Sequence, residues 1–149
     1  ELNQRCVVHS PSLDWVASPA AGVSRRMLER DGGEVARATS IVRYAPGSAF
    51  ASHTHGGGEE IWVLDGTLHD EHGVFGPGTY IHNPVGSSHA PASPEGCTLF
   101  VKLRHLDPRD DERVVIDTRR SEWRQGLTRS KGPSLCCRDW VRLCRMDAV

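Results

Sequence analysis

Long apolar runs are absent from this chain of 149 residues. No stretch approaches the roughly 18 consecutive apolar residues that a membrane-spanning helix needs, and the first residues lack the basic-then-apolar pattern of a secretory leader. The formal net charge of −1 gives no electrostatic reason to expect nucleic acid or an anionic membrane as a partner. We therefore expect a cytoplasmic protein with no membrane and no nucleic-acid partner.

The five cysteines also lack the pattern of a secreted disulfide framework. Their number is odd, three of them fall within the last fourteen residues, and no Cys-x-x-Cys pair occurs. This distribution favours a reducing compartment.

The C-terminal end differs in composition from the rest of the chain. Acidic residues outnumber basic ones in residues 1–117, whereas basic residues dominate from 118 onward. The apolar residues of this end recur at three- and four-residue spacing, which is typical of one face of an amphipathic helix. They are Cys136, Cys137, Trp140, Val141 and Cys144. We predict one domain over residues 1–127 and a basic, cysteine-containing helical tail over 128–149. A second metal site in this tail is the less favoured alternative.

Short β-rich segments separated by glycine and proline turns dominate from residue 36 onward. Residues 1–35 indicate short edge strands and loops, and Asp65-Gly66 is typical of a hairpin turn. Strands this short, with turns every eight to twelve residues, predict an all-β sandwich or barrel. The clearest predicted strands are Ala38–Tyr44, Ile61–Leu64, Thr79–His82 and Cys97–Leu103.

A group of histidines and one glutamate forms the candidate metal site. His53 and His55 are two residues apart, so in an extended segment both imidazoles lie on one face. Three glycines follow and permit a tight path beside an ion, then Glu59 opens the next strand, and His89 is the best fourth candidate. Three imidazoles and a carboxylate suit one divalent transition metal ion, with Zn or Fe favoured and Ni, Mn or Cu as alternatives.

The spacing of these residues resembles the two sequence motifs of the cupin superfamily. Gly47-x5-His53-x-His55-x3-Glu59-x6-Gly66 matches the first motif, and Gly78-x5-Pro84-x-Gly86-x2-His89 matches the second up to its end, where Ser93 replaces the usual Asn. Residues 8 to 127 are similar to the cupin domain of ChrR-type anti-sigma factors and to stand-alone relatives that include acetylacetone dioxygenase-like proteins. The resemblance implies a double-stranded β-helix (a jelly-roll barrel) with the ion in its mouth.

Strand alternation predicts the surroundings of the ion. If Glu59 points into the barrel, Trp62 points outward, and the wall is aliphatic, which suits a small and largely apolar ligand. The predicted wall residues are Ile61, Val63, Leu99, Val101 and Leu103. Tyr80 and Ser88 are candidates for hydrogen bonds that orient the metal ligands, and His82 is a weaker candidate for a place near the site.

Two functions from different classes remain open at this point. The first is a metal-dependent oxygenase of the non-haem iron type that acts on a small organic molecule, with Glu59 as a fourth ligand or a catalytic base. The second is a non-catalytic metal-binding sensory or regulatory module, as the anti-sigma resemblance implies. We expect the chain to form a homodimer or homotetramer, as relatives of this kind often do.

Overall fold

The computed structural model describes residues 7–33 and 35–122. These residues form a short 3-10 turn, Ser10–Ser12, and thirteen strands. The strands are β1 Val16–Ala17, β2 Val23–Gly32, β3 Ala36–Tyr44, β4 Ser48–Ala49, β5 His53–Thr54, β6 Glu59–Gly66, β7 Leu68–Asp70, β8 Gly73–Phe75, β9 Thr79–Asn83, β10 Ser88–His89, β11 Ala92–Ser93, β12 Cys97–Leu103 and β13 Val114–Asp117.

The strands build one large sheet and two smaller ones. The large sheet has the order β1-β2-β3-β12-β6-β9-β13, the second has the order β4-β11-β7-β8, and β10 pairs with β5 in a third. Neighbouring strands are antiparallel throughout. This architecture confirms the predicted all-β fold and agrees with a jelly-roll barrel.

The core lies between the large sheet and the four-stranded sheet. Val63, Leu99 and Ile81 of the large sheet and Leu68 of the smaller one are almost completely buried, and they belong to one apolar cluster. Removing a side chain of this size from water stabilises the fold by about 1.5–3 kcal/mol. The alternation predicted for β6 is confirmed, because Ile61 and Val63 are buried whereas Trp62 is 39% exposed.

Two local predictions differ from the structure. Residues 1–35 contain the ten-residue strand β2, which lies inside the large sheet between β1 and β3. The hairpin predicted at Asp65-Gly66 is wrong, because β6 pairs with β12 and β9 and not with β7. Gly66 has φ +71 and lies where the chain passes from the large sheet to the four-stranded one.

Several predictions fall on parts of the chain outside the described residues. The predicted helical tail, residues 128–149, is among them, as are four of the five cysteines. Cys97 is described and is buried with a free thiol. In residues 7–33 and 35–122, no helix has the length and apolar character that crossing a membrane requires.

Candidate metal centre

The three histidines are brought together by the smallest sheet. His53 lies directly opposite His89 in the β5–β10 pair, and His55 follows two residues after His53. The backbone N–H of His55 donates to the carbonyl of Ser87 at 2.8 Å, which extends the contact between the two segments. The first cupin-like motif and the end of the second are therefore joined by main-chain pairing.

The imidazole rings of His53, His55 and His89 form a tight triangle. Their ring centroids are 4.8 to 5.2 Å apart, and one nitrogen from each ring lies within 4.8 Å of the other two. His55 and His89 are buried, and His53 is half-buried. Three ring nitrogens at this spacing can hold one metal ion.

The carboxylate of Glu59 lies against two of these rings. Its Oε2 atom is 3.3 Å from Nε2 of His55 and 3.3 Å from Nε2 of His89, and it accepts a hydrogen bond of 3.1 Å from the amide of Asn83. Burial by itself raises the pKa of Glu59, but contact with His89 and the charge of His55 outweigh it and leave the pKa below its ordinary value. Glu59 is therefore ionised at neutral pH and can serve as a fourth ligand or accept a proton.

The hydrogen bonds of the histidines leave their Nε2 atoms for a ligand. Nδ1 of His53 lies 2.9 Å from the carbonyl oxygen of Ala51, so this nitrogen carries the proton and Nε2 keeps its lone pair. Nδ1 of His89 lies 3.4 Å from Oδ2 of Asp70. The Nε2 atoms of His55 and His89 are buried, and although both lie 3.3 Å from Oε2 of Glu59, neither makes a well-aligned hydrogen bond among the described residues. A bound cation would satisfy both of them, so the donor set fits a metal ion.

The pKa values of the two buried histidines are shifted in opposite directions. Burial lowers the pKa of His55. Burial acts in the same direction on His89, but its contacts with Glu59 and Asp70 outweigh it, so its pKa is raised. Since metal binding requires the neutral imidazole, the ion and a proton compete for His89.

Three connected polar side chains support two of the candidate ligands, Glu59 and His89. Arg113 donates from Nε to the side-chain oxygen of Asn83 at 3.1 Å, and its Nη2 lies 3.5 Å from Oδ2 of Asp70. Asn83 in turn holds Glu59, and Asp70 holds His89. Arg113 therefore connects the supports of two candidate ligands, and carboxylate–histidine contacts of this kind fix ring orientation and raise ligand basicity.

The sequence did not single out this support. It gave neither Asp70 nor Arg113 a role, because both contacts depend on strands that are distant along the chain. The candidates it did mark lie elsewhere, since Tyr80 donates to Glu60 at 2.7 Å and Ser88 bonds Thr54 at 2.8 Å. His82 pairs with Glu60 in the sheet and therefore lies on the face opposite Glu59.

A cavity of about 630 Å³ adjoins the histidines. Four of the five predicted wall residues, Ile61, Leu99, Val101 and Leu103, line it, and Tyr44 and Phe50 add aromatic surface. The fifth, Val63, is buried in the apolar core and does not line the cavity. The volume lies within the usual range for small-molecule sites. The predicted aliphatic wall is incomplete, because Arg25, Arg30 and Arg104 also line the cavity. The site therefore combines a polar cluster with a largely apolar chamber that is large enough for a small organic compound.

Comparison with known proteins agrees with this architecture. The sequence profile of the ChrR cupin-like domain matches residues 3–107, more than half of the chain. This chain belongs to the ChrR cupin-like family. No curated protein sequence matches this cupin.

Solved structures with the same fold carry different functions. ChrR from Rhodobacter sphaeroides, solved in complex with SigE, is 26% identical with a TM-score of 0.53, and the match covers 62% of this cupin and 50% of ChrR. An acetylacetone dioxygenase from Acinetobacter johnsonii is 22% identical with a TM-score of 0.56, covering 67% and 73%. The polyketide cyclase RemF from Streptomyces resistomycificus is 23% identical with a TM-score of 0.54, covering 75% and 84%. The cupin thus spans about half of ChrR, and the two enzymes establish the fold alone.

Proposed function

We propose that this cupin is a metal-dependent oxygenase that acts on a small organic molecule with an enolisable carbonyl group. The observation that carries the proposal is the convergence of His53, His55 and His89 beside an apolar cavity of about 630 Å³. Three imidazoles and a carboxylate suit both Fe²⁺ and Zn²⁺. We assign Fe²⁺ to the oxygenase activity, and Zn²⁺ is the ion that would compete for the same site.

The chain itself would position the substrate and move a proton. The three histidines would hold the ion, which, when bound, would supply the activation of oxygen. Glu59 is ionised and buried beside His55 and His89, so it can accept the proton that an enolisable carbonyl compound releases. The hydrogen bond from Asn83 fixes Oε2 of Glu59 for this role. The aliphatic wall would exclude water from the reacting groups.

Oxygen uptake by iron-loaded protein tests this function. We expect uptake that depends on a member of a panel of small β-diketones and hydroxy-ketones, and we expect Glu59→Gln to reduce it by about 100-fold, as loss of a general base does. The exposed Glu95 provides the matched control, and Glu95→Gln should leave uptake unchanged. Protein purified without a metal-affinity tag that carries about one zinc per chain and shows no turnover would contradict the oxygenase.

A non-catalytic sensory module is the second candidate. It is supported by membership of the ChrR cupin-like family and by 26% identity to ChrR, a protein solved in complex with a sigma factor. In this case all four side chains would hold zinc and close its coordination, as in structural zinc sites. Stoichiometric zinc, no oxygen uptake and a change in oligomeric state or partner binding on zinc removal would favour this function.

We further propose that the cupin self-associates through the outer face of its large sheet. Cross-strand pairing aligns one row of side chains on that face. The row contains Ile41, Phe100, Trp62, Tyr80 and Ile116. Trp62 is 39% exposed, and a continuous apolar row on a surface is typical of an interface. Light scattering should give a dimer or tetramer that Trp62→Glu dissociates, whereas a wild-type monomer would contradict the proposal.

A further inference from the structure

The cavity beside the histidines carries an excess of positive charge. Arg25, Arg30 and Arg104 line it together with the apolar side chains, and Glu59 is the one acidic residue that lines it in the described part of the chain. A divalent ion at the histidines would add two further positive charges. A neutral apolar ligand gives no reason for this arrangement.

Arg25 belongs to the inner face of the large sheet. It lies opposite Val42 in β3, Val42 lies opposite Leu99 in β12, and Leu99 lies opposite the fully buried Val63 in β6. Side chains along such a cross-strand row share one face of the sheet. Arg25 is therefore a charged residue in a row whose other members are aliphatic.

The guanidinium of Arg25 has no acceptor within the described residues. Arg25 is half-buried, its Nε atom is buried without a hydrogen bond, and it forms no ion pair or cation–π contact with the described residues. The other arginines with a buried, unbonded nitrogen differ in this respect. Arg26 lies over the ring of Trp15 at 4.5 Å, Arg37 pairs with Glu29 at 3.0 Å, and Arg113 bonds Asn83.

We propose that the cavity binds an organic anion, and that the carboxylate of this ligand lies against Arg25 while its other end faces the histidines. The inference rests on the proposed small-molecule site and specifies its ligand class. A buried guanidinium nitrogen without an acceptor, such as Nε of Arg25, is costly, and a carboxylate can satisfy a guanidinium with two parallel hydrogen bonds. The cross-strand row that contains Glu59 continues through Leu103 and Ala38 to Arg30. Arg25 therefore belongs to a different row of the same sheet. A ligand that meets both Arg25 and the cluster therefore carries its charge and its reacting group at opposite ends.

The two other arginines stand at the exposed margin of the same cavity. Arg30 donates to the backbone carbonyl of Gly33, and Arg104 lies against Gly56 and Gly57 beside His55. Arg104 has φ 61 and is the sole non-glycine residue with positive φ in the described ranges. Cationic groups at the entrance of a cleft raise the local concentration of an anion and its rate of association.

Calorimetric titration of zinc-loaded full-length protein tests the proposal without turnover. The probe is 4,6-dioxoheptanoate, which has a β-diketone at one end and a carboxylate at the other, and its methyl ester is the neutral reference. We expect the acid to bind at least about tenfold more tightly than the ester, because a charge-assisted hydrogen bond contributes about that much. Arg25→Gln should abolish this preference while leaving the ester's affinity unchanged.

Arg26 is the matched control, since it is the next residue of β2 and faces Trp15 on the opposite side. Arg26→Gln should keep the preference for the acid, and Arg25→Lys should keep part of it because the charge remains without the planar fork. Zinc content and melting temperature confirm that each variant is folded. Equal affinity for acid and ester, a preference that survives Arg25→Gln, or no binding of the acid would overturn the proposal. Oxygen uptake with neutral diketones would still support the oxygenase in those cases, so the two failures are distinguishable.

Discussion

Asp70 is the residue through which the support of the metal centre reaches His89. Its carboxylate is 1% exposed and lies 3.4 Å from Nδ1 of His89 and 3.5 Å from Nη2 of Arg113. The negative charge favours the tautomer of His89 in which Nδ1 carries the proton and donates to Asp70. The lone pair then lies on Nε2, the atom that faces Glu59. Arg113 compensates the charge of Asp70, which would otherwise be costly to bury.

Asp70→Asn should lower the metal affinity by about 10- to 100-fold, the usual effect of losing a carboxylate behind a ligating histidine. Competition with a chromogenic chelator measures this affinity. Asp111→Asn is the control, because Asp111 is exposed, and it should leave affinity unchanged. An affinity within threefold of wild type in Asp70→Asn would show that Asp70 does not orient His89.

Tyr44 should make the folded protein less stable at alkaline pH. Burial, with a smaller contribution from the charge of Glu59, raises its pKa well above the ordinary range. The unfolded chain ionises tyrosine near pH 10, so the stabilisation is complete below that pH and is lost as the pH rises further. Urea unfolding between pH 8 and 11 should show a steeper loss of stability above pH 10 in wild type than in Tyr44→Phe. Equal slopes would contradict this account.

At the residue scale, the sequence predicted contacts that depend on local spacing. His53 and His55 are two residues apart, so strand alternation places them on one face, and motif spacing supplied Glu59 and His89. Asp70 and Arg113 could not be found in this way, since they meet His89 and Asn83 only after β7, β9 and β13 have taken their places. Arg25 was missed because its strand was not recognised.

At the element scale, the glycine segment between β5 and β6 sets the position of Glu59. Gly58 has φ +72, and a Cβ there would lie 2.4 Å from Cδ1 of Leu106. Its backbone N–H donates to the carbonyl oxygen of His55 at 3.2 Å, and its carbonyl oxygen accepts from the backbone N–H of Arg104 at 3.0 Å. The turn therefore connects His55, Glu59 and the end of β12.

Gly58→Ala should destabilise the fold by about 1–3 kcal/mol, because an L-residue is strained at this φ and its Cβ would displace Leu106. Thermal unfolding measures the loss, and metal affinity should fall with it. Gly76→Ala is the control, as Gly76 has open space around its Cβ position and no positive φ. Equal melting temperatures for the two variants would contradict a requirement for glycine at position 58.

The positions of the strands along the chain could be predicted only in part. The segments Ala38–Tyr44 and Cys97–Leu103 are rich in β-branched and apolar residues, and both lie within or coincide with observed strands. Strand β2 carries four charged residues among its first eight, so its pattern did not indicate a strand inside a sheet. The hairpin expected at Asp65-Gly66 was wrong because Gly66 is required for a different reason, as a Cβ there would lie 2.2 Å from the carbonyl oxygen of Gly96.

At the scale of the whole molecule, the jelly roll places a histidine cluster at one end of an apolar cavity with cationic residues in its wall. The same fold serves an anti-sigma factor and enzymes among the similar structures, so the barrel alone does not determine the function. The side chains that line the cavity carry the argument for a small-molecule site.

The metal content of the purified chain tests the central claim most directly. Elemental analysis of protein prepared without a metal-affinity tag should give about one transition metal ion per chain in wild type and in His72→Ala, a variant at an exposed turn residue. His89→Ala should lose most of this metal, because it removes one of three converging nitrogens. Unchanged metal content in His89→Ala, or a folded wild-type protein that binds no metal even after reconstitution with Fe²⁺ or Zn²⁺, would contradict the account.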